Sequence, residues 1–432
     1  MEVRESSAKY LARPVYKQTE VGIIPEDWAV KSLDAMAFVT SGKRLPLGRS
    51  LSDHETPHPY IRVTDMRPGT VSLADIKFVP IDAFPPIKRY RIFKEDIFIS
   101  VAGTLGIVGK IPPELDGANL TENADRITNI NCSRDYLLHV LMSPQIQNTI
   151  DSLQTIGAQP KLALARIRKF DIPLPPTRSE QEAIAEALSD ADALIESLEQ
   201  LLAKKRQLKQ GAMQKLLTGK KRLPGFSGEW EERTLFDLAG GKKELFDDGD
   251  WIESEHITDE GIRLVQTGNI GIGVFVEKDD KKYIFEKSFV SLRCKEIRQG
   301  DLLICRLADP AGRSCVLPDI GESKVVTSVD VTIFRPPASV TNRVFLANIF
   351  STDQWFRAVS DRSGGTTHKR ISRGALGRLS VRVPSVAEQT AIAAILSDMD
   401  AEIVVMESKL AKARQLKQGM MRELLTGRIR LV

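Results

Sequence analysis

An internal repeat limits what this chain can fold into. Residues 180–223 occur a second time as residues 388–431, with 28 of 44 aligned positions identical and no gap. The stretches that precede the two copies are far less alike. A chain that repeats one long segment and varies the rest is organised as two variable domains, each followed by a copy of the same structural segment.

Both copies of the repeat predict a long helix. Apolar residues recur at alternating steps of four and three, which is the heptad spacing of a helix that packs along another helix. Pro176 and Pro384 precede the two copies, and Gly219 and Gly427 lie where a helix would end. Ten positions are therefore expected at a helix-pair interface: Ile184, Leu188, Ile195, Leu198, Leu202, Ile392, Leu396, Ile403, Met406 and Leu410.

Charge along the repeat predicts how the helices pair. Residues 180–199 hold seven acids and no Lys or Arg, whereas residues 200–223 hold eight Lys or Arg and no acid, and the second copy is divided similarly. Parallel helices would place like charges together, so we expect an antiparallel coiled coil within one chain. Glu196 and Glu199 should then face Arg414 and Lys417 of the other helix. The alternative is that each helix only caps its own domain.

The remaining sequence predicts two α+β domains of similar fold. At 432 residues, the chain suits two domains of about 170 residues plus connecting helices. Many short strands broken by Gly and Pro, with a few helices such as residues 343–360, favour this class. An antiparallel helix pair would relate the domains by a pseudo-twofold axis. The expected order is domain 1 (1–176), helix 1 (177–221), domain 2 (222–384) and helix 2 (385–432).

Several short segments of the two domains are weakly similar in sequence. Arg62 and Gln266 each follow a short strand and begin a polar turn, and residues 95–100 match residues 300–305 as a turn that leads into a buried strand. Gly157 to Lys161 lies at the repeat offset of 208 residues from Gly365 to Lys369.

Composition argues against membrane insertion and export. No apolar run approaches the roughly 20 residues that cross a bilayer, and the N-terminal residues lack the apolar core of a signal peptide. The four cysteines lack the short paired spacing of a zinc site, so we expect reduced thiols and a cytoplasmic protein. The net charge of +4 does not by itself single out nucleic acid.

Polar loops supply candidate DNA contacts. Gly, Lys, Arg and hydroxyl side chains in one loop suit phosphate contact, and Arg or Gln beside a turn can read base edges. A Gly–Lys–Arg loop is also a common solvated turn. The candidates are Lys43, Arg44, Arg62, Lys161, Gln266, His368, Lys369 and Arg370.

Three motifs resemble catalytic sites, but each lacks residues or spacing that its chemistry requires. Residues 103–110 have the wrong glycine spacing for a phosphate-binding loop, and Ile111 replaces the Ser or Thr that holds Mg²⁺, so a strand–turn–strand is expected. Phe84-Pro85-Pro86-Ile87 lacks the polar and aromatic groups of an amino-methyltransferase motif. Asp309 with Glu322 and Lys324 fits only a loose nuclease pattern. The five histidines show no ligand spacing beyond His54 and His58, which flank Pro57 in a loop that is expected to be solvated. We therefore expect no catalytic residue and no metal site.

Taken together, these features resemble the specificity subunit of type I restriction–modification systems over essentially the whole chain. The order of domain, helix, domain and helix is quite specific to that family. The matching segments are Thr19 to Trp28, Pro176 to Gln181, Leu216 to Gly219, Asp248 to Ser254, Gln266 to Gly271, Pro384 to Gln389 and Leu424 to Gly427.

The resemblance implies a DNA-recognition role without catalysis in this chain. Each variable domain would be a target-recognition domain for one half of a split, asymmetric double-stranded DNA site, and the helices would fix the gap. The helices would dock two modification subunits, which use S-adenosylmethionine, and two restriction subunits would use ATP and Mg²⁺. No cofactor is expected in this chain. The alternatives are an enzyme that acts on DNA alone, a protein-binding scaffold, and a specificity subunit for a fused restriction–modification enzyme.

Overall fold

Ten α-helices lie in the part of the chain that the computed structural model describes, which is residues 15–152, 161–307, 309–365 and 369–431. They are α1 (Arg134–Leu141), α2 (Pro144–Ser152), α3 (Leu164–Ile167), α4 (Arg178–Leu216), α5 (Leu235–Leu238), α6 (Glu286–Ser291), α7 (Arg343–Ile349), α8 (Asp353–Ser360), α9 (Arg373–Gly377) and α10 (Val386–Leu424).

The described residues form two units, whose boundaries fall after Glu199 and after Glu407. The first unit holds the residues before the first boundary and after the second, and the second unit holds the residues between them. Both boundaries lie inside the long helices α4 and α10, so each helix contributes one segment to each unit.

The first unit contains two four-stranded sheets and three two-stranded pairs. Its strands are β1 (Tyr16–Thr19), β2 (Gly22–Pro25), β3 (Ala29–Ser32), β4 (Phe38–Ser41), β5 (Pro59–Ile61), β6 (Met66–Arg67), β7 (Thr70–Val71), β8 (Lys77–Phe78), β9 (Arg91–Ile92), β10 (Ile97–Ser100), β11 (Val108–Lys110), β12 (Ala118–Leu120), β13 (Ala124–Thr128) and β14 (Asp171–Leu174). The larger sheets have the orders β11-β10-β13-β4 and β8-β5-β12-β9, and the pairs are β1-β2, β3-β14 and β6-β7.

The second unit contains one four-stranded sheet, one five-stranded sheet and one pair. Its strands are β15 (Glu231–Thr234), β16 (Phe246–Asp248), β17 (Ile257–Thr258), β18 (Ile262–Val265), β19 (Lys282–Ile284), β20 (Glu296–Ile297), β21 (Leu302–Cys305), β22 (Ser314–Val316), β23 (Val325–Thr327), β24 (Val331–Phe334) and β25 (Ser380–Val383). The sheets have the orders β16-β24-β21-β22 and β17-β19-β18-β23-β20, and β15 pairs with β25.

The two units share one topology, which confirms the predicted similarity of the domains. In both, a buried strand (β10 or β21) pairs antiparallel with its neighbours on either side. In both, the second sheet contains one parallel pair, β5 with β12 or β18 with β23. All four residues of β10 and of β21 are buried, as their apolar sequences predict. The α+β class is confirmed as well.

The long helices start and stop close to the predicted residues. Each has 39 residues, and α4 begins two residues before Glu180 and ends one residue before Leu217. The Thr177 hydroxyl accepts a hydrogen bond from the Glu180 amide at 3.2 Å, which caps the first turn. Gly219 and Gly427 take φ values of +70° and +67°, a left-handed conformation that ends a helix.

Within each unit the segments of α4 and α10 run antiparallel. In the first unit, Asp192 pairs with Lys417 and Glu199 pairs with Arg414, so the residue number falls on α10 as it rises on α4. The predicted pair of Glu199 with Arg414 is therefore confirmed. The Lys417 ammonium contacts the Asp192 carboxylate, one turn before the predicted region of Glu196 and Glu199.

The second unit repeats this arrangement. Lys205 Nζ lies 2.6 Å from a Glu402 carboxylate oxygen, and Lys209 pairs with Asp400 as Lys417 pairs with Asp192. In these pairs the carboxylates are exposed and the ammonium groups are half-buried, so water still screens them and each contributes about 1 kcal/mol, and their main effect is to disfavour the parallel arrangement.

The ten residues predicted at the helix-pair interface differ in burial. Ile195, Leu198 and Met406 are half-buried, and the other seven are buried. Ile184 and Leu188 belong to the main core of the first unit, and Ile392 and Leu396 belong to that of the second. The outer turns of each helix are therefore covered by a domain core, whereas the half-buried residues lie nearer the middle.

One predicted helix was wrong. The segment 343–360 forms two helices, α7 and α8, instead of one. The Thr352 hydroxyl donates to the Ile349 carbonyl at 2.8 Å and accepts from the Trp355 amide at 3.3 Å. A threonine that satisfies the end of one helix and the start of the next makes the break.

Candidate nucleic-acid interface

A matching polar turn follows the same strand in each unit. In the first unit, Asp65 Oδ2 accepts a hydrogen bond from the Arg62 amide at 2.8 Å. In the second, Asn269 Oδ1 accepts from the Gln266 amide at 2.9 Å. Both acceptors are buried. The turn thus exists in a charged and a neutral form on the same backbone.

Arg62, a candidate for base reading, is held by carboxylates. Its guanidinium donates to both oxygens of Asp65, at 3.0 and 2.7 Å, and to Asp75 at 3.1 Å. The hydrogen bond to Asp65 is the main cause that raises the pKa of Arg62, with burial opposing it. Gln266, at the corresponding position, is exposed. The two turns therefore present different groups to the surface.

A second pair of candidates also lies at equivalent positions. Lys161 bridges to Ala102, and Arg370 bridges to Leu307 in the same way. The structural partner of Lys161 is thus Arg370, one residue beyond the Lys369 that the repeat offset suggested. Lys161 is exposed, whereas the Arg370 guanidinium lies 2.7 Å from the Asp330 carboxylate.

Lys369 and His368 are the other candidates in the loop that carries Arg370. Lys369 is exposed, and its ammonium donates to the Ser360 hydroxyl at 3.4 Å. His368 lies outside the described residues.

The second unit buries an arginine beneath this loop. Arg306 occupies the position of Val101, since the amides of both donate to equivalent carbonyls at 2.7 Å. Its guanidinium lies 3.1 Å from the Asp248 carboxylate and donates to the Ile371 carbonyl at 3.2 Å. Burial lowers the pKa of Arg306. This side chain fixes the backbone that carries Arg370, and nothing in the sequence distinguished it from other arginines.

Each unit has a hydrogen bond between a hydroxyl and a carboxylate on neighbouring strands, but the strand that carries the carboxylate differs between the units. Ser41 on β4 donates to Asp125 on β13 at 2.7 Å. In the second unit, Thr332 on β24 donates to Asp248 on β16 at 3.0 Å. Burial raises the pKa of Asp125. The same scaffold therefore accepts different polar groups at one register.

Sequence reasoning missed a cluster of cations and aromatic rings in the first unit. Lys43 and Arg44, both predicted DNA contacts, are exposed. The Arg89 guanidinium lies 4.9 Å from the centre of the Tyr90 ring, and the Lys43 ammonium lies 5.9 Å from the same centre. Arg91 lies over the Phe93 ring at 5.1 Å. We call this cluster the basic edge, and its cations are Lys43, Arg44, Lys88, Arg89 and Arg91.

The signal for the basic edge was present in the sequence. Residues 88–94 read Lys-Arg-Tyr-Arg-Ile-Phe-Lys, in which cations alternate with aromatic rings. That pattern is typical of nucleic-acid-binding segments.

The described residues hold no cluster of three or more His, Cys, Asp or Glu that could bind a metal ion. The four cysteines are buried free thiols, and burial raises the pKa of Cys315 to about 12. Residues 103–107 connect β10 to β11, and residues 108–110 form β11, so the predicted strand–turn–strand segment supplies the turn and the second strand of an antiparallel pair. No helix among the described residues is long and apolar enough to span a bilayer.

Known proteins resemble the chain over nearly its full length. A putative type I restriction enzyme MjaX specificity subunit of Methanocaldococcus jannaschii is 24% identical over 443 residues, which cover 96% of this chain and 97% of the relative. The type I restriction enzyme MjaVIII specificity subunit of the same organism is 24% identical over 426 residues, or 94% of each chain.

Solved structures show the same fold. The S subunit of a type I restriction–modification system from M. genitalium matches with a TM-score of 0.56 and 16% identity, over 92% of this chain and 96% of that one. A chain solved in a study of complex assembly and conformational transition of the type I R-M system matches with a TM-score of 0.53 and 18% identity, over 94% of this chain and 99% of that one.

A family model fits both halves of the sequence. The type I restriction modification DNA specificity domain matches residues 25–206 and again residues 227–415. Each match covers one variable domain together with a large part of the helix that follows it. The chain therefore belongs to the type I restriction–modification DNA specificity family and carries two copies of its domain.

Proposed function

We propose that this chain is the DNA-reading subunit of a type I restriction–modification complex. Each domain binds one half of a bipartite, asymmetric double-stranded DNA site. The observation that carries the proposal is the presence of two copies of a DNA specificity domain on one topology, with different side chains at matching surface positions. Arg62 and Gln266 are one such pair. Two readers that differ in sequence should recognise two different half-sites.

We further propose that α4 and α10 act as a spacer between the half-sites. A helix of 39 residues rises about 58 Å, and half-sites one turn of DNA apart lie about 34–36 Å from centre to centre. A helix of this length can therefore span that distance while its ends pack into the domains. The ion pairs between α4 and α10 support a spacer of fixed length, because sliding one helix along the other by one turn would separate the paired charges.

The chemistry is assigned to partners. Two modification subunits that use S-adenosylmethionine would dock on the helices, flip out an adenine and methylate it. Two restriction subunits would use ATP and Mg²⁺. No cofactor and no catalytic residue is assigned to this chain, and the complex would act on DNA in the cytoplasm. Neighbouring genes would distinguish separate partners from a fused restriction–modification enzyme.

A domain exchange tests the reader assignment. Residues 222–383 are replaced by the corresponding domain of another specificity subunit, and methylated adenines are mapped in a host that carries the partners. One half-site should change while the other half-site and the gap persist. A change in both half-sites, or in neither, would contradict independent readers.

A deletion tests the spacer. Removing four residues, about one turn, from each helix near Leu198 and Met406 should shorten the gap and leave both half-sites intact. An unchanged gap would refute the spacer.

Two further measurements separate the alternatives. Methyl transfer or cleavage by the purified chain with DNA, Mg²⁺ and methyl donor would indicate an enzyme that acts alone. Salt-insensitive or absent DNA binding by the reconstituted complex would indicate a protein scaffold, since phosphate contacts impose a steep salt dependence.

A further inference from the structure

The cations of the basic edge are not neutralised by carboxylates of the described part of the chain. Among the described residues, none of the five forms an ion pair with a carboxylate, whereas Arg49, Arg62 and Arg134 of the same unit each do. All five side chains are exposed. The Arg89 guanidinium donates to the Tyr90 hydroxyl at 2.8 Å, and that partner is neutral. The positive charges of the basic edge are therefore available to an anion from outside the chain.

Strand β12 holds both segments of the basic edge in place. The Lys43 amide donates to the Leu120 carbonyl at 2.8 Å, and the Leu120 amide donates to the Tyr90 carbonyl at 3.1 Å. Buried Asn119 donates through its side chain to the Ile87 carbonyl at 2.9 Å. The two segments are far apart in sequence but fixed to neighbouring residues of one strand. The backbone that carries their cations is therefore fixed.

Contacts from other strands hold the same backbone. The Tyr60 hydroxyl donates to the Lys43 carbonyl at 3.0 Å, and burial raises the pKa of Tyr60 to about 12, so this donor keeps its proton. Arg126 donates to the Arg91 carbonyl. A backbone that is ordered before binding loses little conformational freedom when the segment binds a ligand.

The rings of Tyr90 and Phe93 favour a nucleic-acid backbone as that ligand. Arginine that stacks on an aromatic ring uses the face of its guanidinium and leaves the N–H groups at the rim for phosphate oxygens. Phosphate contacts come mainly from Arg and Lys and carry no sequence information themselves.

At the corresponding edge of the second unit, the charged side chains pair with each other. Asp250 follows Gly249 as Lys43 follows Gly42, and Lys295 precedes β20 as Tyr90 precedes β9. The Lys295 ammonium lies 3.4 Å from Asp250 and 3.4 Å from Asp247, and its amide donates to Asp250 at 2.7 Å. An internal ion pair between Asp250 and Lys295 occupies the positions of the Lys43 cation and the Tyr90 ring.

We propose that the basic edge binds the phosphate backbone of the DNA half-site held by the first domain, and that the second domain makes no equivalent contact. This inference rests on the proposed function, because it names how one reader holds its DNA. The two half-sites then differ in how much of their affinity is electrostatic. Sequence preference arises elsewhere in the first domain.

The experiment uses the chain reconstituted with its modification subunits. Affinity for a duplex that contains the methylated site, and for an unrelated duplex, is measured between about 50 and 200 mM salt for wild type and for R89Q/R91Q. Two lost phosphate contacts should reduce the slope of log K against log salt by about 1.8. Over that fourfold range, the variant should lose about tenfold less affinity than wild type. Both duplexes should weaken by the same factor at low salt, with the methylated sequence unchanged.

Two variants make the test specific. R89K/R91K keeps the charges and should keep most of the slope, which a folding defect would not. K295Q removes a cation at the corresponding edge of the second unit and should leave the slope unchanged. An unchanged slope in R89Q/R91Q, or a change in its methylated sequence, would overturn the inference. Loss of assembly with unchanged DNA affinity per complex would also overturn it, because the edge would then bind protein. A wild-type complex that does not prefer its own site would instead remove the proposed function, and this inference with it.

Discussion

The charged turn of the first unit offers a test of whether Arg62 supports the fold or reads a base. The Asp65 side chain is 4% exposed and accepts three hydrogen bonds, all from Arg62. Arg62→Gln removes the two bonds from the guanidinium and leaves a buried carboxylate with one backbone donor. Breaking a buried ion pair from one side costs about 3–5 kcal/mol. The Arg62 side chain is 26% exposed, so water reaches the pair and we expect the lower end, about 3 kcal/mol.

The second unit supplies the compensating change. Gln266 and Asn269 make the same turn without charge, so R62Q/D65N should recover stability to within about 1 kcal/mol of wild type. Hydrogen exchange suits the measurement, because a chain of two units need not unfold in one step. Amides of β5 and of the turn should exchange more than a hundredfold faster in R62Q and near the wild-type rate in the double variant. The turn of Gln266 serves as an internal reference in every sample.

The functional readout separates the two roles of Arg62. If the side chain supports the turn, R62Q/D65N should methylate the same sites as wild type in a host with the partner subunits. If Arg62 reads a base, the double variant should regain its slow exchange and still lose discrimination at one position of one half-site, by about 1–3 kcal/mol. That second outcome would refute a purely supporting role for Arg62.

Two other predictions concern stability. Burial lowers the pKa of His139 from 6.5 to about 4, so the unfolded chain takes up a proton that the folded one refuses, and the first unit should lose up to about 3 kcal/mol as pH falls from 6.5 to 4. Exchange measured across that range should show the loss in wild type and not in H139Q; an equal loss in both would exclude His139 as the cause. Leu188→Ala and Leu396→Ala each empty a fully buried position and should cost about 3 kcal/mol, confined to the first and second unit respectively. Leu194→Ala, at a side chain 52% exposed, should cost less than about 0.5 kcal/mol, and a cost equal to that of Leu188→Ala would contradict the burial argument.

The sequence was most informative where the physics is local and periodic. Helix length follows from heptad spacing and from glycines that end the helices, and antiparallel pairing follows from the separation of acids and bases along each copy. Both signals extend over forty residues, so a single deviating position does not hide them. The break at Thr352 was missed because one hydroxyl decides it, and no periodic signal records such a cap.

Sites built from distant segments were harder to predict. Lys43 and the segment around Arg89 come together only because β12 pairs with the strand that follows Tyr90 and accepts the amide of Lys43. The alignment of Lys161 with Lys369 was one residue out, since loop lengths differ and only strand pairing identifies Arg370 as the equivalent position. The composition of a strand does not determine which of its residues pair with which residues of the neighbouring strand.

The paired differences between the units suggest how one fold can carry two specificities. At three matching registers the backbone hydrogen bonds are the same while the side-chain charge differs in sign, presence or position: the turn after β5 or β18, the hydroxyl–carboxylate pair, and the residue after Gly42 or Gly249. An alanine Cβ at Gly42 would lie 2.1 Å from the Thr121 carbonyl oxygen, and one at Gly249 would lie 2.3 Å from that of Ser328. Backbone contact therefore fixes those positions as glycine, whereas the next residue is a free cation in one unit and a paired acid in the other. Because the constraint falls on the backbone, the electrostatics of the surface can change without a change of fold.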